Sequence, residues 1–278
     1  MKAELLFKSK DVTGEGVLWL PRSEKVLWVD IESGYLHEYA IYKEQYFCHK
    51  LPDMISSIMV VDKEEQEVLL TMKDRIIRYH LENKSFSLLK QFDFIKPGYR
   101  MNDAKMSPEG RIWFGVMHMT NQKGTGYLCC LNPDLSVSKV LVNQNIPNGM
   151  VWNATGDKMY YADSGRGCIE EYLYDKQQGT IVLNGVSVNV PAELGVPDGM
   201  TMGKDGQLWV AHWGGSGVYV WNPMSGKLID KVEVPVPNVA SCTFGGKNKD
   251  TLFITTARSG LSDAEMEQYP LSGSLFCI

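Results

Sequence analysis

One phrase recurs along the chain and constrains what it can fold into. Val196-Pro197-Asp198-Gly199-Met200 leads into a turn at Lys204-Asp205-Gly206 and then an apolar run, Leu208 to His212. The same order appears earlier: Ile146-Pro147-Asn148-Gly149-Met150, a turn at Ala154 to Lys158, and the run Met159 to Asp163. Looser copies start at Glu15-Gly16, Ser56-Ser57, Asn102-Asp103 and Ala240-Ser241. Taking Glu15, Ser57, Asp103, Asn148, Asp198 and Ser241 as anchors, the copies recur every 42 to 50 residues. That period is the size of one four-stranded propeller blade.

Each anchor is followed by a second strand rich in β-branched and aromatic residues, from Val26 to Asp30 in the first copy through Leu252 to Thr256 in the sixth. Third strands follow, from Tyr35 to Tyr39 through Ser274 to Ile278, and no sustained helical period intervenes. The last copy stops at its third strand, while Ala3 to Phe7 precedes the first anchor with no place in a copy. The expected fold is therefore all-β, a single domain over residues 1–278: a six-bladed β-propeller of four-stranded antiparallel blades, its ring closed by the N-terminal strand. Closure of this kind removes exposed strand edges.

With 44% apolar residues, the chain can build such a core. A net charge of -5 and 28 scattered Lys plus Arg give no basic stripe, which argues against nucleic acid as a partner. The N-terminal apolar run is too short for a signal peptide, and no stretch approaches bilayer length, so a cytoplasmic location is expected, with no membrane association. The six cysteines lack CxxC spacing and read as reduced core residues rather than a zinc or disulfide framework. Trp19, Trp113, Trp152 and Trp209 fall in strand runs and read as packing between blades.

Gly14-Glu15-Gly16, Arg100-Met101-Asn102-Asp103, Pro147-Asn148-Gly149, Pro197-Asp198-Gly199-Met200, Trp213-Gly214-Gly215 and the tail Leu271 to Phe276 together resemble the gluconolactonase, regucalcin (senescence marker protein) and luciferin-regenerating enzyme family. Members are six-bladed propellers that hold one divalent metal in the central channel. The resemblance implies that Glu15, Asn148 and Asp198 are metal ligands and that Arg100 and Asn102 face the substrate. The residues themselves point the same way, because groups that open the innermost strands of different blades converge at one mouth of the channel. Asn or Asp before Gly is an ordinary turn signal. Repetition at blade spacing, and Glu15, which is no favoured turn residue, weigh against that reading. Two carboxylates and an amide suit a hard cation, Ca2+, Mg2+ or Mn2+, with Zn2+ also open.

His118 and His212 each end a second strand and are candidate substrate contacts at the same mouth; His37, His49 and His80 fall on outer strands and read as surface residues. The family carries an acidic residue after the strand matching Ile112 to His118, where this chain reads Met119-Thr120-Asn121-Gln122, which puts a preference for gluconolactone itself in question. The connection Ala257 to Ser272 is a candidate lid over the mouth.

These features point to metal-dependent hydrolysis of a small-molecule lactone, a sugar lactone such as gluconolactone by the resemblance. The cation would polarise the ring carbonyl, and Asp198 would be both ligand and catalytic proton acceptor. No obligate protein partner is implied. The alternative is a non-catalytic propeller that binds calcium or a partner protein, since a propeller scaffold does not fix function.

Overall fold

The computed structural model describes residues 1–278. Runs of β-branched and aromatic residues, punctuated by Gly, Asp and Asn turns, give 24 strands in six four-stranded sheets. Strand β1 is Glu4–Phe7. Blade 1 comprises β2 Gly14–Leu20, β3 Lys25–Asp30, β4 Tyr35–Ala40 and β5 Gln45–Lys50; blade 2 comprises β6 Ile55–Val60, β7 Glu67–Met72, β8 Arg75–His80 and β9 Phe86–Gln91. Blade 3 comprises β10 Tyr99–Met106, β11 Ile112–His118, β12 Gly126–Leu131 and β13 Val137–Gln144; blade 4 comprises β14 Pro147–Trp152, β15 Lys158–Asp163, β16 Cys168–Asp175 and β17 Thr180–Asn189. Blade 5 comprises β18 Val196–Met202, β19 Leu208–Trp213, β20 Gly217–Trp221 and β21 Leu228–Glu233. Blade 6 has only three strands from its own copy, β22 Val239–Gly245, β23 Thr251–Thr256 and β24 Leu275–Cys277. Its fourth is β1, paired antiparallel with β24 through Glu4↔Cys277 and Leu5↔Phe276. The expected six-bladed propeller and its closure by the N-terminal strand are both present. No helix is long and apolar enough to cross a membrane.

The core lies between blades. Six apolar clusters occur, one at each blade interface, from Leu27, Val29, Ile55 and Leu70 between blades 1 and 2 to Val17, Trp28, Phe253 and Leu275 between blades 6 and 1. The tryptophans serve this packing as expected: Trp19 stacks on Phe253, Trp113 meets Trp152 edge to face, and Trp209 meets Phe244.

Every innermost strand carries one extra residue at the same level of the ring, a bulge after Glu15, Ile55, Met101, Pro147, Pro197 and Val239. A bulge bends the strand and re-aims a side chain. Pairing to the second strands makes Glu15, Ser56, Asn102, Asn148, Asp198 and Ala240 equivalent. In blades 2, 3 and 6 the repeat is therefore phased one residue earlier than the Ser57, Asp103 and Ser241 anchors expected from sequence. The equivalents Glu15, Asn102, Asn148 and Asp198 face the upper cavity, whereas Gly16, Ser57, Asp103 and Ser241, one residue later, line a lower chamber of the channel.

Two expectations about side chains are corrected. His37 and His49 lie on outer strands but are buried, because each has a carboxylate to face: His37 Nε2 lies 3.2 Å from Asp11 Oδ1, and His49 Nε2 lies 2.7 Å from Glu38 Oε1. His80 is half-buried. All six cysteines are free, and Cys129, Cys130 and Cys242 are core residues as expected. Cys48 is not: it sits exposed on the outermost strand of blade 1.

Candidate functional site

Asp30, at the end of β3, accepts hydrogen bonds from the Val12 and Thr13 amides and so grips the chain just before Glu15. Asp163, at the end of β15, does the same to Asn145 and Ile146, just before Asn148. His212 holds the corresponding register in blade 5, paired with Pro197. Its Nδ1 bonds the Leu194 carbonyl at 2.9 Å, its Nε2 accepts from Trp221 Nε1 at 3.3 Å, and it stacks on Tyr219. Burial lowers its pKa to about 4, so it is neutral. The side chain is fully buried and does not line the cavity, so the expected substrate contact is corrected to a positioning role.

After each ligand candidate comes a glycine that the ring geometry demands. A Cβ on Gly149 would lie 2.2 Å from the Asp198 carbonyl oxygen, and one on Gly199 would lie 2.7 Å from Ser241 Oγ. Gly16 adopts a φ of +57° beside Ser57. These glycines let neighbouring inner strands approach, which draws Glu15, Asn148 and Asp198 towards one another at the channel mouth. All three are buried and line one cavity of about 440 Å3.

The hydrogen bonds around this trio leave oxygens pointing inward without donors. Asn148 Nδ2 donates to Ser164 Oγ at 3.0 Å, and Ser164 Oγ donates to the Pro197 carbonyl at 2.7 Å. That fixes the amide with its oxygen turned away. Asn148 Oδ1 and Asp198 Oδ1 are both buried with no hydrogen-bond partner. Glu15 Oε2 accepts only from its neighbour's amide, Gly16, at 2.9 Å. Burial, then Asp198 and Asp103, hold the Glu15 carboxyl well above the usual carboxylate range; burial and Asp103 do the same to Asp198. Unpartnered buried oxygens and crowded carboxylates are what a cation would relieve, so the residues fit a hard divalent ion. No three His, Cys, Asp or Glu side chains cluster as a ligand set, because the third donor here is an amide.

Arg100 and Asn102 enter the same cavity on β10. Arg100 Nη1 donates to Asn102 Oδ1 at 2.7 Å and to the Met101 carbonyl at 2.9 Å, while Asn102 Nδ2 donates to the Pro147 carbonyl at 3.0 Å. His118 stands apart. It lies half-buried against Tyr99, with Nδ1 2.9 Å from Thr120 Oγ1, and does not line the cavity. Of the expected lid, Ser259 and Gly260 reach the cavity rim; the segment also folds a short helix, α1 Asp263–Gln268, behind a Ser262/Glu265 capping box.

The structure adds residues that sequence reasoning passed over. Ser164 follows Asp163 directly, and its signal was a hydroxyl next to a strand-ending Asp. Glu32 lies in the turn after β3 at the cavity wall; Asp103, an anchor in the sequence, sits below the trio instead, accepting a hydrogen bond from Ser57 Oγ at 3.2 Å.

Residues 13–258 match the model of the SMP-30/Gluconolactonase/LRE-like region. The chain belongs to that family. Among curated members, it is 34% identical over 276 residues to the Bacillus subtilis protein named "Putative sugar lactone lactonase YvrE", covering 99% of this chain and 94% of the relative. It is 28% identical to Homo sapiens regucalcin, covering 100% of this chain and 94% of the relative. Two solved structures share the fold: regucalcin from Agrobacterium tumefaciens, described as calcium-binding (TM-score 0.93, 24% identity, 100% of this chain and 93% of that one), and luciferin-regenerating enzyme (TM-score 0.90, 26% identity, 99% and 95%). The family match spans all four inner strands that bring Glu15, Asn102, Asn148 and Asp198 into the cavity.

Proposed function

We propose that this protein is a divalent-metal-dependent lactonase, with Glu15, Asn148 and Asp198 as its metal ligands. The observation that carries the reading is the pair of buried, unpartnered oxygens, Asn148 Oδ1 and Asp198 Oδ1, turned into the same cavity as Glu15. The family's lactonase names support the substrate class. When bound, the cation supplies a Lewis acid that polarises the ring carbonyl and acidifies water.

The chain's own groups do the rest. Water adds to the carbonyl carbon, the ring C–O bond breaks, and the product is the open hydroxy acid. Asp198 takes the proton from the attacking water and returns it to the ring oxygen as the C–O bond breaks, giving the product its hydroxyl. Arg100, with Asn102 fixing its guanidinium, orients the lactone by donating to its oxygens. Ser164 keeps the Asn148 amide turned the right way. His118 and His212 have no part in this scheme.

Lactone hydrolysis assayed after exhaustive chelation, and again after adding Ca2+, Mg2+, Mn2+ or Zn2+ singly, tests the proposal. Loss on chelation and recovery with at least one ion is expected. Full activity of a demonstrably metal-free protein would overturn it. The alternative of a non-catalytic, calcium-binding propeller predicts cation binding with no turnover of any lactone.

A further inference from the structure

A second cluster of reactive side chains lies outside the cavity, on the outer strands of blade 1. Strand pairing there sets Trp28, His37 and Cys48 in one row, Trp28↔His37 across β3 and β4 and His37↔Cys48 across β4 and β5. Directly opposite residues share a face of the sheet, with Cβ atoms about 4.5–5.5 Å apart. Tyr46, two positions before Cys48, falls on that face as well. His37 is buried and stacks on the Trp28 ring, centroids 4.8 Å apart. Its Nε2 lies 3.2 Å from Asp11 Oδ1, and its Nδ1 lies 2.7 Å from the Tyr46 hydroxyl oxygen. Asp11 is itself held, because its Oδ2 accepts from Trp28 Nε1 at 2.8 Å and from Ser9 Oγ at 3.0 Å. Of the six cysteines only Cys48 is exposed.

A carboxylate, an imidazole and a thiol thus follow one another from the buried side of blade 1 to its surface. Asp11 favours the charged imidazole, and the imidazolium in turn favours an ionised sulfur. Burial would raise the Cys48 thiol, but the His37 imidazole and the Tyr46 hydroxyl outweigh it and hold it below its ordinary value, with Asp11 opposing. The other titratable groups on this face are Tyr35 of β4, whose ring lies 6.1 Å from that of His37, and Lys50 of β5, placed over the Tyr35 ring. From β1 an uncharged group, Phe7, stacks on Tyr46. We propose that Cys48 is a modification site, a thiolate that exchanges with small-molecule disulfides, with His37 as its counter-ion and Asp11 and Tyr46 as positioning residues. The Cys48 sulfur attacks one sulfur of the disulfide; a new S–S bond forms as the old one breaks, and the departing thiolate takes a proton from water. Cys48 is oxidised and the disulfide reduced, and a second thiol reverses the exchange.

The test incubates the whole protein with bis(2-hydroxyethyl) disulfide, an uncharged reagent, over a pH series below the melting temperature. Mixed-disulfide formation is followed by intact mass, and peptide mapping places the adduct. One adduct is expected, at Cys48, with the rate reaching half its plateau below about pH 8.5, the value of an ordinary cysteine. Cys48→Ser should abolish it. His37→Gln should move the half-point upward and slow exchange at about pH 7 by at least about 5-fold, as loss of a nearby opposite charge does. Tyr46→Phe should slow it less. Should His37→Gln not fold, the wild-type half-point and Tyr46→Phe still decide. The assignment is overturned by a wild-type half-point at or above about pH 8.5, by first modification at Cys168 or Cys277, or by a half-point that neither variant moves.

Discussion

Asp198 and Asn148 offer the same kind of oxygen to the cavity yet differ in what they can do with a proton, and this separates them experimentally. Asp198→Asn keeps size and one oxygen donor but removes the charge and the capacity to accept a proton. At saturating metal, its turnover should fall about 100- to 10,000-fold, the usual span of a general-base contribution. Asn148→Ala should raise the metal concentration needed and then recover much of its turnover, which a titration of rate against metal distinguishes. Near-normal turnover of Asp198→Asn at high metal would make Asp198 a ligand only. That Glu15, Asn102, Asn148 and Asp198 line one cavity was legible in the sequence because each sits in a phrase that recurs at blade spacing, whereas Arg100 was marked only by the family resemblance. Glu32 was not legible, because its equivalent in the matching turn of blade 4 is Gly165, so no repeated polar residue marks the position. His212 misled for a physical reason: ending a second strand places a residue near the mouth, but in this register the side chain turns back to hold the incoming loop, as Asp30 and Asp163 do.

Among elements, the inner strands matter most, and their bulges explain why the repeat could be counted but not phased from sequence alone. An extra residue on one strand changes which of two adjacent polar residues looks into the upper cavity, and Asn102-Asp103 offers both choices. The glycines on these strands give a sharper expectation. Gly149→Ala drives a methyl group into the Asp198 carbonyl, which cannot yield without moving β18. A cost of about 1–3 kcal/mol is expected, read from the urea midpoint, together with weaker metal binding because Asp198 itself shifts. On the outer strands, β4 carries a pH effect. Burial would push the His37 imidazole down, but Asp11 and Cys48 outweigh it and hold the pKa at about 9. The folded value lies above the unfolded one of about 6.5. The charged pair thus stabilises fully below that pH, and the contribution is lost as pH rises through about 9. His37→Gln should be less stable than wild type at pH 6, with the gap closing by pH 10 in melting curves.

For the whole molecule, the cation is expected to act on stability as well as chemistry. A ligand bound only to the folded state at 100 times its Kd adds about 2.7 kcal/mol, so chelation should lower the melting temperature by roughly 5–10 °C. Chelation with no shift would mean that the trio holds no ion. Removing residues 1–8 should also lower the melting temperature, because it strips β1 from blade 6 and leaves β24 as an open edge.

That shared blade also sets an order of events during synthesis. Ser9 bonds the carbonyl of Gly273, 264 positions away, and β1 has no strand to pair with until β24 leaves the ribosome. Blades 1 to 5 each contain all four of their strands and can form as they emerge, but β1 must wait unpaired until all five have been made and β24 follows. A nascent chain stalled before Leu275 is an open arc rather than a shortened ring. It should therefore engage holdase chaperones that release it once β24 appears and pairs with β1.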